Sequence, residues 1–313
     1  MKRWMNNKMP VILGPTACGK TAVAAGIAYE MDGEVISADS RQVYRGMDLG
    51  SGKDLSDYAV KGRNIPYHLI DIAEPGSEYN IFEYQKDFAR VYADITGRGK
   101  LPVLCGGSGM YLEAVLKDYS LPEAPSDPAF TAQMETLGDE ALLEELGRLK
   151  KLHSTTDTVD RSRMLRALEI ELKRRDQDQN DVQGSRVPQM IFGINPGRET
   201  VRRRITERLE SRLAGGMLEE VRSLLDQGIP PGRLKAYGLE YKYLTRHILG
   251  ELSYNEMFRL LNTAIHQFAK RQMTWFRRME RQGMKIHWIE GNLPSSEKVK
   301  IIREILEMKR DVD

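Results

Sequence analysis

The chain has 313 residues, 41% of them hydrophobic, which is enough for one large α/β domain and a smaller one. A formal net charge of +2 excludes a polycation, and two cysteines are too few for a disulfide scaffold or a cysteine zinc site. No stretch reaches the roughly 18 consecutive apolar residues of a membrane span. We therefore expect a cytoplasmic protein without membrane contact.

The first predicted elements are a strand, a glycine-rich loop and a helix. An apolar run at 11–13 precedes the loop, and apolar residues recur at helical spacing from Val23 to Met31. The loop GPTACGKT matches the phosphate-binding pattern G-x-x-x-x-G-K-[ST] at every fixed position. Its glycines allow backbone N–H groups to converge on an anion. The predicted diphosphate or nucleotide site consists of Gly14, Pro15, Thr16, Ala17, Cys18, Gly19, Lys20 and Thr21.

Two residues of this loop have individual expected roles. Lys20 should contact the outer phosphate oxygens, and the Thr21 hydroxyl should bind Mg²⁺, the expected cofactor. The same motif occurs in kinases, in NTPases and in enzymes that only hold pyrophosphate. It therefore does not decide the reaction.

Two further strands are predicted at Glu34–Ala38 and Leu101–Cys105, each followed by a polar loop. The carboxyl ends of parallel strands meet at one sheet edge, so Asp39 and Ser108 should lie near the phosphate loop. Asp39 could bind Mg²⁺, act as a general base or cap a helix. The Ser108 hydroxyl can donate to an oxyanion.

The middle of the chain predicts a helical insertion. After Ser120 a proline-rich joint leads into two amphipathic leucine stripes, at 142–149 and 165–172. Further strands are predicted at Met190–Ile194 and Lys285–Ile289. The expected fold is an α/β, P-loop NTPase-like parallel-sheet core of residues 1–119 and 190–313, with an inserted all-helical domain at 120–189.

The C-terminal third reads as helical and basic. Val201, Ile205 and Leu209 recur at a spacing of four, and Arg204 and Arg208 each precede a member of this stripe. These arginines could pair with neighbouring glutamates or bind an anion. A second long helix should begin at the capping box formed by residues 253–256 and run to about 282. Its aromatic residues, at 268, 275 and 276, are expected in the core.

At this point the sequence resembles a known family, the tRNA dimethylallyltransferases or tRNA isopentenyltransferases, in the bacterial type without a zinc finger. The resemblance rests on the phosphate loop, on ADSRQVYRGMDLGSGK at 38–53 and on GGSGMYLEA at 106–114. It continues through 163–169, 197–213 and 269–278, which covers nearly the whole chain. The D-S-x-x-x-Y element beside the phosphate loop distinguishes this family from ordinary kinases.

The resemblance implies transfer of a dimethylallyl group from dimethylallyl diphosphate to N6 of the adenosine 3′ of the anticodon, position 37 of tRNA. It implies that Asp39 is the general base and that Ser108, where the family usually has threonine, assists it. Lys20, Arg204 and Arg208 would stabilise the departing diphosphate. We expect a monomer that binds the anticodon stem-loop.

Two of the tRNA contacts that we expect on this basis fall on residues that differ from those of relatives. Glu240 stands where the commoner bacterial pattern has a basic residue. Thr131 likewise stands where some relatives have arginine. The expected tRNA-binding residues are Asp39, Ser40, Arg41, Gln42, Ser108, Thr131, Ser162, Arg163, Met164, Leu165, Arg166, Lys235, Ala236, Tyr237, Gly238, Leu239, Glu240, Lys270, Arg271 and Gln272.

Two other functions stay open at this point. An adenylate isopentenyltransferase would prenylate free AMP, ADP or ATP, and would need neither the insertion nor the basic C-terminal helix. A P-loop kinase would leave D-S-x-x-x-Y unexplained. Two smaller interpretations concern a turn at 50–53 whose Lys53 could reach substrate, and Cys18 and Cys105, read as buried packing residues or as a redox pair.

Overall fold

The computed structural model describes residues 8–117 and 187–308, together with 134, 136–149, 161, 164–165, 167–169 and 171–172. The chain divides into two compact units. The first combines Met1–Lys117 with Arg186–Asp313, and the second is Asp118–Ser185. The sequence places the insertion at 120–189 and assigns it to tRNA contact, and that functional assignment stays a prediction.

The first unit is built on a parallel sheet of six strands in the order β5-β2-β6-β1-β7-β8. A short antiparallel pair, β3 and β4, lies outside it. The strands of the described residues are β1 (Met9–Leu13), β2 (Gly33–Ala38), β3 (Ala59–Val60), β4 (Arg63–Asn64), β5 (Tyr67–His68), β6 (Leu101–Gly106), β7 (Gln189–Asn195) and β8 (Ile286–Glu290). The five predicted strands are confirmed, with ends shifted by one or two residues.

Helices cover both faces of this sheet. The helices of the described residues are α1 (Lys20–Glu30), α2 (Ile81–Gly97), α3 (Gly109–Leu116), α4 (Asp139–Leu149), α5 (Arg198–Ala214), α6 (Met217–Asp226), α7 (Pro231–Ala236), α8 (Leu239–Ile248), α9 (Tyr254–Arg281) and α10 (Ser295–Met308). None of these helices is long and apolar enough to cross a lipid bilayer. The predicted α/β class is confirmed.

The central strand β1 explains why the sheet holds together. All five of its residues are buried, as expected for a parallel strand covered on both faces. Ile12 packs with α1 and α10, whereas Val11 and Leu13 pack with α2, α3 and the end of α9. Side chains that alternate along β1 therefore contribute to two separate apolar cores.

The register of the three central strands decides where the polar loops emerge. Leu13 of β1 pairs with Gly106 of β6, and Gly106 also pairs with Ala38 of β2. The three strands consequently end at the same level. Each of the predicted polar loops begins at the next residue, so the loops emerge side by side at one sheet edge.

Helices α5 to α9 form a third core with the loop that follows β2. The predicted stripe on α5 is confirmed, since Val201, Ile205 and Leu209 are buried there together with Val43 and Met47 of the loop. The capping box of α9 is also confirmed: Ser253 and Glu256 each accept a hydrogen bond from the other's backbone N–H. The helix ends at Arg281, close to the predicted end.

A glutamate of α6 holds the loop after β2 in place. The Glu220 carboxylate accepts hydrogen bonds from the backbone N–H groups of Asp48 and Leu49, at 2.8 and 2.7 Å. It also accepts from the Gly50 N–H at 3.0 Å and from the Tyr241 hydroxyl at 2.8 Å. One side chain thus satisfies three successive backbone donors and links this loop to α6 and α8.

In the second unit, the two predicted leucine stripes pack together. Leu142 and Leu146 of α4 are buried against Leu165 and Leu168. Met164 is buried as well. The amphipathic pattern read from the sequence is therefore used inside this unit.

Replacing Glu220 by alanine should lower the free energy of unfolding by about 2–4 kcal/mol, because it leaves backbone donors without an acceptor. The matched control is Glu219→Ala on the same helix, where the side chain is exposed and forms a surface pair with Arg222. That change should cost less than about 0.5 kcal/mol. Urea unfolding of both variants measures the difference, and equal losses would contradict the role given to Glu220.

Candidate functional site

The phosphate loop adopts the arrangement that the motif requires. It connects β1 to α1, and Lys20 and Thr21 are the first two residues of the helix. No side chain caps this helix, since Gly19 occupies the N-cap position. At Gly14 the backbone passes so closely that an added Cβ would lie 2.7 Å from Cys18 Sγ. The loop therefore offers backbone donors and a helix N-terminus to an anion.

A small cavity of about 70 Å³ lies at this sheet edge. It gathers residues from the phosphate loop, from the loop after β2 and from α5, α8 and α9. Its lining is Thr16, Ala17, Gly19, Lys20, Thr21, Ser37, Asp39, Arg41, Gln42, Ser51, Gly52, Asp54, Asp57, Tyr58, Cys105, Gly106, Arg208, Arg212, Glu240, Phe268 and Gln272. Predicted residues from five separate parts of the sequence thus meet in one place.

Gln272 of α9 ties two of the loops together. Its Oε1 accepts a hydrogen bond from the Thr16 N–H at 2.8 Å, and its Nε2 donates to the Gly107 carbonyl at 2.8 Å. Both ends of the buried amide are therefore engaged by protein. Gln272 therefore positions the phosphate loop relative to the glycine loop, and its expected tRNA contact stays a prediction.

Arg208 is the cation of α5 that reaches the phosphate loop. Its guanidinium donates to the Thr16 hydroxyl. Burial lowers the pKa of Arg208 to about 10, and the neighbouring Arg212 charge acts in the same direction. Within the described residues no carboxylate lies at ion-pair distance from Arg208, whereas Arg212 pairs with Asp54 at 2.8 Å. A desolvated guanidinium without a counterion is a strong site for a bound anion.

Arg204 lies elsewhere, although it was predicted together with Arg208. It does not line the cavity. Its charge instead acts near Lys298, whose pKa is lowered by burial and further by Arg204. Of these two arginines, one helical turn apart on α5, Arg208 lines the cavity and Arg204 does not.

Asp39 follows β2 directly and lines the cavity. No helix starts at this residue, so the helix-capping alternative is wrong. Its Oδ1 accepts a hydrogen bond from the Arg41 backbone N–H at 3.0 Å. The Arg41 guanidinium turns towards Glu240, at 2.8 Å. The acid found at position 240 is thus neutralised within the protein.

Other residues of the loop after β2 are held by short polar contacts. Gln42 donates to the Gly52 carbonyl at 3.1 Å, and its Oε1 accepts from the Ser37 hydroxyl at 3.1 Å. Ser108 lies at the N-cap position of α3, and its hydroxyl accepts from the Ser40 N–H at 3.4 Å. These contacts join the second and third loops.

The cavity offers the oxygen ligands that Mg²⁺ prefers. The Thr21 hydroxyl and the Asp57 carboxylate both line it. Burial raises the pKa of Asp57, and Asp54 adds to this, while Lys20 opposes it. Among the described residues no cluster of three acidic, histidine or cysteine side chains is present to bind a metal alone. The residues fit a cation whose remaining ligands come from phosphate and water.

A second, larger groove of about 700 Å³ lies between α5 and α9, next to Pro15 of the phosphate loop. Its walls include apolar residues such as Val201 and Met273. Its cationic residues are Arg198, Arg202, Lys270 and Arg277. Of the expected tRNA-binding residues, Lys270 lies in this groove and Arg271 is exposed beside it.

The remaining expected tRNA contacts are dispersed. Lys235 pairs with Glu251. Tyr237 is buried, and its hydroxyl donates to the Ser77 carbonyl. Ala236 is exposed, whereas Leu239 is half-buried. The side chains of Met164 and Leu165 are buried in the second unit, which gives them a packing role. The residues that lie outside the described part of the chain are Thr131, Ser162, Arg163 and Arg166.

Lys53 and the two cysteines have structural roles. Lys53 is fully buried and binds Asp48, Asp71 and the Tyr44 carbonyl, so it stabilises its own loop and does not reach substrate. Cys18 and Cys105 are both buried, and burial raises the pKa of Cys105 to about 12. A thiol that stays protonated is a poor target for oxidation, which favours the packing interpretation.

Sequence reasoning missed several members of the cavity. Asp54, Asp57 and Arg212 were not expected there, and Phe268 was expected in the core. Asp54 and Asp57 lie just after the GSGK turn, so proximity in sequence to Lys53 was the available signal. Phe276, by contrast, is fully buried as predicted.

Comparisons with known proteins agree over almost the full length. Residues 42–279 match the family model described as IPP transferase, and residues 7–69 match that of isopentenyl transferase. The chain is 53% identical to tRNA dimethylallyltransferase 1 of Parabacteroides distasonis over 94% of this chain and 96% of that one. It is 52% identical to tRNA dimethylallyltransferase 2 of Bacteroides fragilis, with the same shares of the two chains covered.

Solved structures are similar as well. The full-length tRNA isopentenylpyrophosphate transferase from Bacillus halodurans superposes with a TM-score of 0.71 at 29% identity, covering 97% of each chain. A eukaryotic dimethylallyltransferase, solved while acting on tRNA, reaches a TM-score of 0.78 at 20% identity. It covers 98% of this chain and 79% of that one, and it supports the fold.

The Arg208→Met variant should lose most of the rise in melting temperature that inorganic pyrophosphate with Mg²⁺ gives the wild type. Without ligand the same variant should be equally or more stable, because it removes a desolvated charge. Arg204→Met is the matched control on the same helix, and it should keep the pyrophosphate-dependent rise. Thermal melts with and without pyrophosphate measure both effects; equal losses in the two variants would contradict the assignment.

Proposed function

This chain belongs to the IPP transferase family, and we propose that it transfers the dimethylallyl group of dimethylallyl diphosphate to N6 of adenosine 37, the residue 3′ of the tRNA anticodon. The observation that carries the proposal is the meeting of the phosphate loop, Asp39 and Arg208 in one cavity. About half of the residues are identical to those of curated tRNA dimethylallyltransferases over nearly the whole chain.

The leaving group is the main electrostatic demand of this reaction. The allylic C1–O bond breaks readily because the positive charge is delocalised, so the protein must stabilise the departing diphosphate. The backbone donors of the phosphate loop, Lys20 and Arg208 supply positive charge at one point of the cavity. We assign diphosphate binding to Arg208, and this choice is supported by its desolvated guanidinium and its contact with Thr16.

Mg²⁺ would supply further neutralisation of the diphosphate when it is bound. Thr21 is the residue that would hold it directly, and Asp57 could reach it through water. Lys20 and Thr21 lie in the same first turn of α1. The Lys20 side chain would bind the outer phosphate oxygens next to the loop.

The nucleophile is the exocyclic amine of adenine, which must lose a proton as it attacks. Asp39 is the carboxylate that we propose as the acceptor of this proton. The hydrogen bond from the Arg41 N–H fixes the orientation of its carboxylate. Ser108 holds the neighbouring backbone at Ser40 and thereby supports the position of Asp39.

The target adenosine must leave its stacked neighbours to enter so small a cavity, as base-modifying enzymes generally require. We propose that the anticodon stem-loop is the bound part of the tRNA, since unpaired loop bases can be extruded at low cost. The exposed cations near α9 provide the charge for backbone contacts. We further propose that the protein acts as a monomer in the cytoplasm.

A transfer assay with dimethylallyl diphosphate and Mg²⁺ should label unmodified tRNA but neither AMP nor ATP offered in parallel. Mass spectrometry of the products locates the added group, which we expect on adenosine 37. Label on the free nucleotide would instead identify an adenylate isopentenyltransferase. Consumption of ATP without prenyl transfer would indicate a kinase.

The Asp39→Asn variant should lose about 10²- to 10⁴-fold in the single-turnover rate of transfer, the usual contribution of a general base. Its tRNA dissociation constant should change by less than about threefold, because the amide keeps the shape of the carboxylate and one of its acceptor oxygens. The exposed Asp226 of α6 gives the control, Asp226→Asn. A turnover of Asp39→Asn equal to that of this control would remove the assignment of the base.

A further inference from the structure

Arg41 lies between two carboxylates, those of Glu240 and Asp39. We propose that Glu240 is a positioning residue, which holds the Arg41 guanidinium away from Asp39 and so leaves the Asp39 carboxylate free to accept the proton from N6. This inference rests on the proposed function, because it assumes that Asp39 is the base. It adds a residue from α8 to the transfer reaction.

The distances show an unequal sharing of the guanidinium. Arg41 Nη1 lies 2.8 Å from Glu240 Oε2, within hydrogen-bond distance. Arg41 Nε lies 3.9 Å from Asp39 Oδ1, which is close but beyond hydrogen-bond distance. Among the described residues, Arg41 therefore has two carboxylates within ion-pair distance, Glu240 and Asp39. Without the Glu240 charge, the carboxylate left beside the guanidinium among the described residues is that of Asp39, the proposed base.

All three charged groups are shielded from water, so their mutual arrangement has energetic weight. The side chains of Arg41 and Asp39 are each 17% exposed, and that of Glu240 is 9% exposed. Burial opposes the Arg41 charge, but the Glu240 and Asp39 carboxylates outweigh it and raise the pKa of Arg41. A buried cation that loses its partner is costly, so we expect the guanidinium to approach the carboxylate that remains.

The protein around Arg41 is shaped to keep it at Glu240. The guanidinium lies over the Phe268 ring, with Cζ 5.3 Å from the ring centre. Gly238, with a φ of +147°, leaves room for the arginine, since an added Cβ would lie 2.8 Å from Arg41 Cδ. Glu240 is in the first turn of α8, where the helix dipole favours an acid.

The chemical consequence concerns the lone pairs of Asp39. A carboxylate that accepts hydrogen bonds from a guanidinium is stabilised as the anion, which makes it a weaker proton acceptor. The other cations of the cavity, Lys20, Arg208 and Arg212, serve the phosphate loop or pair with Asp54. Among the described residues Arg41 is therefore the cation nearest to an ion pair with Asp39, and its hydrogen bond goes to Glu240 instead.

The test compares Glu240→Gln, Arg41→Met and the double variant in single-turnover transfer to tRNA, with tRNA affinity measured separately. Glu240→Gln should slow transfer by about 10- to 100-fold, a fraction of the full contribution of a general base. Its tRNA dissociation constant should stay within about twofold of the wild type, because the change acts on proton transfer. Adding Arg41→Met should restore most of the lost rate, since no guanidinium is left to occupy Asp39.

Other results would overturn the inference. A slow Glu240→Gln variant that Arg41→Met does not rescue would show that Glu240 acts by another route. A weaker tRNA affinity at an unchanged rate would make Glu240 an RNA contact, and an unchanged rate and affinity would deny it any role. The exposed-pair control is Glu219→Gln, which should match the wild type in rate and affinity.

If the single variant Glu240→Gln does not fold, the double variant with Arg41→Met still tests the inference. Within the Arg41→Met background, adding Glu240→Gln should change the transfer rate by less than about threefold, because the effect of Glu240 runs through Arg41. A large loss in that background would overturn the inference. Activity retained in Asp39→Asn would instead reject the proposed base, so failure of the function and failure of this inference are distinguishable.

Discussion

The alignment of three strand ends is the constraint on which the site depends. Because Leu13, Ala38 and Gly106 lie at the same level of the sheet, the phosphate loop, Asp39 and the glycine loop before Ser108 begin side by side. A shift of one residue in either pairing would move the polar groups apart and would place buried strand residues on the wrong face. The apolar cores on both sides of β1 hold this register.

Helix α9 connects that register to the rest of the molecule. Its first half is buried among the helices of the C-terminal third, and its second half is buried against the sheet. Gln272 lies between these halves and binds both the phosphate loop and the glycine loop. Helix α9 therefore fixes the phosphate loop and the glycine loop relative to α5, the helix that carries Arg208.

The charges of the site fall into three kinds. Lys53 is buried with two carboxylates and serves the fold. Arg208 is buried and forms no ion pair with a carboxylate of the described residues, which leaves its charge available to bind an anion. Arg41 lies between these cases, because it pairs with one acid while lying near another. Pairing and burial, and not charge alone, separate structural cations from those that can serve the reaction.

The amino-acid sequence was enough to predict the strands, the phosphate loop, the capped start of α9 and the family, because these depend on local periodicity and on motifs of contiguous residues. It also placed Asp39 and Ser108 at the ends of strands. The tertiary structure was needed to place Arg208, and not Arg204, in the lining of the cavity, because the two arginines share one helix and one local pattern. It alone joined Glu240 to Arg41 across 199 positions and turned Gln272 inward. Such pairings depend on packing between segments that are distant in sequence, and a pattern of neighbouring residues does not show which distant segments will meet.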